Sequence, residues 1–141
     1  MGCNDPSNQI FQQGFVLRDP KFLLPDGRYR CKTFVVLNKN PTHNLIHSVL
    51  TTSQFSFYNR APQWIKNQFV LIPAGAISFF RLKTLINCEN IYTLPRLKLE
   101  EAYRKRRIEK FGILPKQFLD KIIDIIRSSI LIETEIKESI L

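Results

Sequence analysis

The spacing of hydrophobic positions along this chain changes after residue 95. Up to that point, apolar and β-branched residues come in short runs separated by Pro, Gly and Asn, which is typical of strands and turns. We predict strands over 14–19, 31–38, 44–52, 67–73, 77–85 and 90–95. Two prolines and an Asp-Gly pair between residues 19 and 30 indicate either a long loop or a splayed hairpin.

From Leu97 onward the apolar residues recur at helical spacing. Residues 97–111 suit a helix that stops at Gly112. Residues 114–130 suit a second helix, with Pro115 in its first turn and an apolar face. The tail, 131–141, alternates apolar and acidic residues and could extend the helix or form a strand.

Strands followed by helices predict an α+β fold. Five to six short antiparallel strands close most readily into a small curved barrel, with the final helix over an open edge or end. At 141 residues we expect a single domain over 1–141, with a β-barrel body at 14–95 and a helical part at 97–130.

The charge of the chain favours a polyanionic partner. Lys and Arg total 21 against 12 Asp and Glu, a formal net charge of +9. Residues 1–95 hold 10 basic and 4 acidic residues, so the excess is spread through the strand-rich part rather than confined to a tail. Nucleic acid is the expected partner before membrane, and no segment is long and apolar enough for a membrane span.

The cysteines and histidines form no recognisable metal site. Cys3, Cys31 and Cys88 are far apart and odd in number, which favours a reducing, cytoplasmic location over a disulfide framework. His43 and His47 lie four residues apart without a carboxylate nearby. We therefore expect neither a metal nor another cofactor.

One stretch, SVLTTSQFSFYNR at residues 48–60, concentrates candidate chemistry where a strand ends. Three hydroxyls and an amide follow one another in Thr51, Thr52, Ser53 and Gln54. Together with the basic residues, these groups suit RNA cleavage, because RNA carries its own nucleophile in the 2′-hydroxyl. Cations can then stabilise the charged phosphorane without a metal, and DNA would be inert.

The sequence resembles the MazF/PemK-type toxins of toxin–antitoxin systems. The resemblance covers residues 14–130 and is carried, in order, by GFVLRD, CKTFVVLN, TTSQ, FFRLKTLIN and FGILPKQFLDKIIDIIRSS. It implies an SH3-like barrel and a metal-independent endoribonuclease that cuts single-stranded mRNA and leaves a 2′,3′-cyclic phosphate. It also implies a homodimer and a cognate antitoxin whose tail occupies the RNA groove.

The resemblance assigns catalytic candidates position by position. The second strand of that family usually opens with Arg-Pro, and the matching place here is Lys32-Thr33. Arg30, two residues earlier on the same strand face, could substitute for the missing arginine. Thr51 and Thr52 match the hydroxyls that end the next strand near the scissile phosphate. Lys32, Thr51, Thr52 and Arg30 are thus the catalytic candidates, and the RNA-binding candidates are Arg28, Ser53, Gln54, Arg60 and His47.

Each of these candidates has a purely structural alternative. Small polar residues can simply end a strand, a strand lysine can blunt a sheet edge, and a lone strand histidine is commonly structural. The basic run 104–107 can be a solvated helix face, or it can bind phosphates or an acidic antitoxin segment. Because Lys-Thr replaces Arg-Pro, a non-catalytic barrel that only binds nucleic acid or protein is the alternative function.

Overall fold

Short runs rich in β-branched and aromatic residues form most of the strands. The structure is a computed structural model that describes residues 11–141. Within that range the strands are β1 (Phe15–Leu23), β2 (Tyr29–Val36), β3 (Leu45–Thr52), β4 (Phe69–Ile72), β5 (Thr84–Asn87), β6 (Tyr92–Pro95) and β7 (Glu109–Ile113). The helices are α1 (Ser56–Arg60), α2 (Gln63–Lys66), α3 (Arg96–Arg104), α4 (Lys116–Ser128) and α5 (Thr134–Ile140).

The strands make one antiparallel sheet in the order β4-β5-β3-β2-β1-β7, with β6 also paired to β3. Strand β3 bonds to β2 along one edge, and along its other edge first to β6 and then to β5. The sheet therefore curls around β3 into half a barrel, as right-handed strand twist favours. The α+β class with C-terminal helices is confirmed, with seven strands in the described range rather than five or six.

Both faces of the sheet are covered, because its three central strands alternate two sets of apolar residues. Val16, Val35 and Val49 share one face and pack against Ile122 and other apolar residues of α4. The opposite face packs against α3, and its buried set includes Leu17, Phe34, Leu50, Leu99 and Ala102. Helix α4 thus covers one face of the sheet, and the apolar residues between them form a core separate from the one under α3.

The predicted hairpin exists between β1 and β2. The register shifts between Asp19 and Phe22, where Pro20 has no N–H to donate to the ladder. The turn closes with the N–H of Gly27 donating to the carbonyl of Leu24 at 2.9 Å. Gly27 has φ +86°, a left-handed conformation that residues without a Cβ adopt most easily.

Several predicted boundaries are wrong. The helix predicted over 97–111 ends at Arg104, and residues 109–113 form β7 instead, because that segment bonds to the free edge of β1. The strand predicted over 77–85 begins only at Thr84, since residues 77–80 form a tight bridge of their own. The tail forms α5, whose end packs into the α4-side core through Ile140. Cys3 lies outside the described residues.

Candidate functional site

An open cleft of about 830 Å³ lies beside the ends of the central strands and the β4–β5 loop. Strand ends contribute the polar floor and rim, and the loop contributes the opposite wall. The cleft brings together five residues predicted from sequence, namely Lys32, Thr51, Thr52, Ser53 and Gln54. The remaining lining residues are Arg18, Cys31, Thr33, Ser78, Phe79, Phe80, Arg81, Leu82, Thr84 and Phe111.

The residues on the floor of the cleft are those that strand alternation places on one face of the sheet. Arg18 is paired with Thr33, on the same sheet face as the Val16–Val35–Val49 row. Continuing the β2–β3 register by one pair places Thr51 opposite Thr33. The apolar row of this face therefore ends in an arginine and two threonines, which lie at the cleft.

Lys32 and Thr52 belong to the other set of strand positions. Lys32 is paired with Asp19, and Thr52 with Leu85. Both residues line the cleft at its rim. By strand alternation, they belong to the sheet face that carries Phe34. The Thr52 hydroxyl accepts a hydrogen bond from the Gln54 N–H at 3.1 Å, so it helps to turn the chain out of β3.

The loop wall is set by a close approach between Phe79 and β7. The Phe79 ring lies 5.0 Å from that of Phe80 and 6.3 Å from that of Phe111, measured between centroids. A Cβ added at Gly112 would come within 2.7 Å of the Phe79 ring, so only glycine leaves room for it there. This contact holds the aromatic wall in place opposite the strand ends.

The polar groups of the cleft are largely unengaged. Across residues 11–141, the structure gives no hydrogen bond to the side chains of Thr33, Thr51, Ser53 or Gln54. The three lining cations, Arg18, Lys32 and Arg81, take part in none of the ion pairs among those residues. Within the part of the chain that the structure describes, no carboxylate lines the cleft. Such a surface has positive potential and vacant donors, which suits an anion rich in acceptor oxygens.

The catalytic candidate Arg30 and the predicted RNA contacts Arg28 and Arg60 are not among the residues that line this cleft. Arg30 is exposed on β2 beyond the rim, and Arg60 is exposed on α1 with its Nε donating to the Ser56 carbonyl at 3.3 Å. Arg28 forms an ion pair with Asp26 at 2.7 Å, and its guanidinium lowers the pKa of that carboxyl.

His47 has a structural environment. It is 4% exposed, and its Nδ1 lies 2.8 Å from the Thr93 hydroxyl. Burial, followed by the nearby His43, lowers the pKa of the His47 imidazole. The structure therefore does not bring this histidine to the threonine corner of the cleft.

Sequence reasoning missed Arg18, Thr33 and Arg81. Arg18 directly follows the apolar run of β1, and Thr33 directly precedes that of β2, so the polar ends of these runs are the signal that could have found them. Joining them to Thr51 requires the strand register, which no local pattern contains. Arg81 was assigned to a strand, whereas it lies in the loop that forms the wall.

Two further properties bear on the class of site. Over the described range, no group of three or more His, Cys, Asp or Glu side chains is placed to hold a metal ion. No helix in that range has the length and apolar character needed to cross a bilayer.

The comparisons with known proteins concern the fold. No protein-family model matches the chain, and no curated protein matches it in sequence. A solved structure that does match is a chain of the MazE–MazF complex (form III) from Deinococcus radiodurans. The match covers 80% of this chain and 89% of that one, with 18% sequence identity and a TM-score of 0.51. The curved sheet and its helices are therefore an arrangement found in a MazE–MazF complex.

Proposed function

We propose that this chain is an endoribonuclease of the toxin–antitoxin kind, which binds single-stranded mRNA in the cleft and cuts it without a metal. The observation that carries the proposal is the composition of the cleft. Among residues 11–141, three cations without an ion pair, six hydroxyl side chains and one amide line it, and no carboxylate does. A phosphodiester offers the charge and the acceptor oxygens that such a lining can bind.

The proposed reaction uses the 2′-hydroxyl of the substrate as nucleophile. Its oxygen bonds to the adjacent phosphorus and loses its proton, while the bond from phosphorus to the 5′-oxygen breaks and that oxygen gains a proton. The products are a 2′,3′-cyclic phosphate and a free 5′-hydroxyl. The phosphorane between them carries extra negative charge, so groups that bind it more tightly than the substrate accelerate the reaction.

We assign the tasks of binding the phosphate and stabilising its charge to cleft residues according to their positions. Thr51 on the floor donates its hydroxyl to a phosphate oxygen, and Arg18 and Lys32 neutralise the developing charge. Thr52 holds the corner of the strand end, while Ser53 and Gln54 contact the neighbouring sugar or base. Arg30 lies beyond the rim, so its contribution is attraction of the RNA rather than contact with the scissile phosphate.

The same proposal includes protein partners. A cognate antitoxin would block the cleft with an acidic segment, because the lining is cationic and lacks carboxylates. A homodimer is the expected assembly. The reaction described above invokes side chains of this chain only, so the pure chain without antitoxin is the material for the first assay.

Incubation of the pure chain with single-stranded RNA in excess chelator tests the proposal. We expect cleavage, a 2′,3′-cyclic phosphate at the new end, and no cleavage when a 2′-deoxynucleotide occupies the cut position. Thr51→Val should lower the rate by about 10²–10³-fold, as loss of one transition-state donor does. Thr42→Val, which changes an exposed threonine in the β2–β3 turn, is the matched control. Cleavage that needs added magnesium would contradict the proposal.

A non-catalytic RNA-binding module is the second candidate, and one observation favours it. The lining residues include neither an imidazole nor a carboxylate, the side chains that most often act as general acid and base. This function predicts salt-sensitive RNA binding with the RNA recovered intact at high protein concentration. The chelator assay distinguishes the two, since only the enzyme forms the cyclic phosphate.

A further inference from the structure

A second basic surface adjoins the cleft at the turn between α3 and β7. We call Arg104, Arg106 and Arg107 the arginine turn. A hollow of about 560 Å³ lies beside it, lined by these three residues together with Arg18 and Glu109. Arg18 also lines the cleft, so the two depressions adjoin at this residue.

The backbone of the arginine turn is held in place by short-range hydrogen bonds. Arg106 has φ +60°, a left-handed conformation that is uncommon for a residue with a Cβ. Its N–H donates to the Tyr103 carbonyl at 2.9 Å, and the Arg107 N–H donates to the Ala102 carbonyl at 2.9 Å. Ile108 follows at 3% exposure and anchors the turn in the α3-side core.

One arginine of the turn has a structural role. The Arg107 guanidinium donates to both carboxylate oxygens of buried Asp19, from Nε at 3.2 Å and from Nη2 at 3.3 Å. This pair ties the turn to β1 one residue after Arg18. Its neighbour Lys105 is likewise engaged, with Glu101 at 2.8 Å.

Arg104 and Arg106 are therefore the cations that remain available. Both are exposed, and neither takes part in an ion pair within residues 11–141. Glu109 is the one carboxylate among the described residues that line the hollow. Guanidinium groups bind phosphate oxygens two at a time, so a pair of them beside Arg18 provides a path for a phosphate backbone.

We propose that single-stranded RNA whose scissile phosphate lies in the cleft continues over Arg18 onto Arg104 and Arg106. This inference rests on the proposed function and adds the direction of the flanking nucleotides. RNA is favoured over an acidic peptide helix because none of the described residues that line the hollow is a large, exposed apolar side chain. Its apolar lining residues are Pro20, half-buried Tyr103 and Ile108, and Ile108 is almost wholly buried. A docked peptide helix needs an apolar groove, whereas a phosphate backbone does not.

The test compares two non-cleavable 2′-O-methyl RNAs, one of about four nucleotides that fills the cleft and one of about sixteen that extends beyond it. The variant is Arg104→Gln with Arg106→Asn, since Asn tolerates the left-handed conformation. The matched control, Lys98→Gln with Lys121→Gln, removes the same charge from exposed positions on α3 and α4. Thermal unfolding of all variants checks that the fold is retained.

We expect the arginine variant to bind the long RNA about tenfold more weakly at low salt and to lower the salt slope by roughly 1.4, as loss of two phosphate contacts does. Its affinity for the short RNA and the affinities of the control should stay unchanged. Equal losses for short and long RNA, or equal losses in the control, would overturn the inference. So would a selective loss of polyglutamate binding with RNA binding retained. If the unmodified chain bound neither RNA, the proposed function would fail as well.

Discussion

Thr51 and Thr52 are adjacent, yet their hydroxyls have different surroundings. Thr52 accepts a hydrogen bond from the Gln54 N–H and so stabilises the end of β3. Thr51 shares the sheet face of Arg18 and Thr33, and the structure gives its hydroxyl no partner among the described residues. The strand-ending interpretation therefore describes Thr52, and the proposed phosphate contact concerns Thr51, because alternate positions of a strand point to opposite faces.

His47 should make stability depend on pH. Because burial lowers the pKa of its imidazole, the unfolded chain binds more protons than the folded one below the ordinary value of about 6.5. The free energy of unfolding should then fall as pH decreases from about 6.5 toward the lowered pKa, by at most about 1.4 kcal/mol per pH unit. His47→Gln should reduce this slope.

Urea unfolding at several pH values between about 5 and 7.5 measures that slope. His43→Gln is the control, since His43 is the smaller cause of the shift in His47. Equal slopes in the unmodified chain and in His47→Gln would show that His47 is not the group responsible.

At the scale of elements, β7 places the aromatic wall of the cleft. It pairs with β1, and the register shifts between Val16 and Leu17, near the place where Gly112 faces the Phe79 ring. A bulge of this kind redirects side chains beside a site. Residues 109–113 form a strand rather than the end of the predicted helix. The reason is that pairing with the β1 edge satisfies backbone groups that would otherwise be unpaired.

Gly112→Ala should therefore disturb the wall. The new Cβ would lie 2.7 Å from the Phe79 ring, so the ring must move, and overpacking of this kind costs about 1–3 kcal/mol. Urea unfolding measures the loss. A double-mutant cycle with Phe79→Leu should show coupling of about 1 kcal/mol or more, because the smaller side chain relieves the contact. Additive effects of the two changes would contradict this account of the wall.

At the scale of the whole molecule, the sheet separates two cores that both depend on it. Ile122 of α4 belongs to one core and is fully buried, while Leu99 of α3 belongs to the other at 4% exposure. Every central strand contributes to both cores through its alternate residues. Loss of either core should therefore weaken the sheet that supports the other.

We accordingly predict that residues 11–141 unfold in a single transition. Ile122→Ala and Leu99→Ala should each lower the free energy of unfolding by about 2–5 kcal/mol without splitting the transition. Circular dichroism in the far ultraviolet and tryptophan fluorescence of Trp64 should report the same midpoint. Two separate midpoints would show that the two cores fold as separate units.

The elements with strong periodicity could be predicted from sequence. The run of β-branched and aromatic residues in CKTFVVLN predicts β2, and the apolar residues of α4 recur at helical spacing because one side of that helix must be buried. The polar ends of the central strands could also be recognised in the sequence, and these residues line one cleft: Lys32, Thr51, Thr52, Ser53 and Gln54. These features are local, so the chain encodes them within a few residues.

The tertiary structure decided what depends on contacts between distant residues. Register brings Arg18 and Thr33 to the Thr51 face and puts Lys32 at the rim, and it converts residues 109–113 into a strand. Packing buries His47 away from the cleft and sets Phe79 against Gly112. Such choices follow from strand pairing and burial, which join segments up to about a hundred residues apart. A one-residue change in pairing would have assigned a different set of side chains to the cleft.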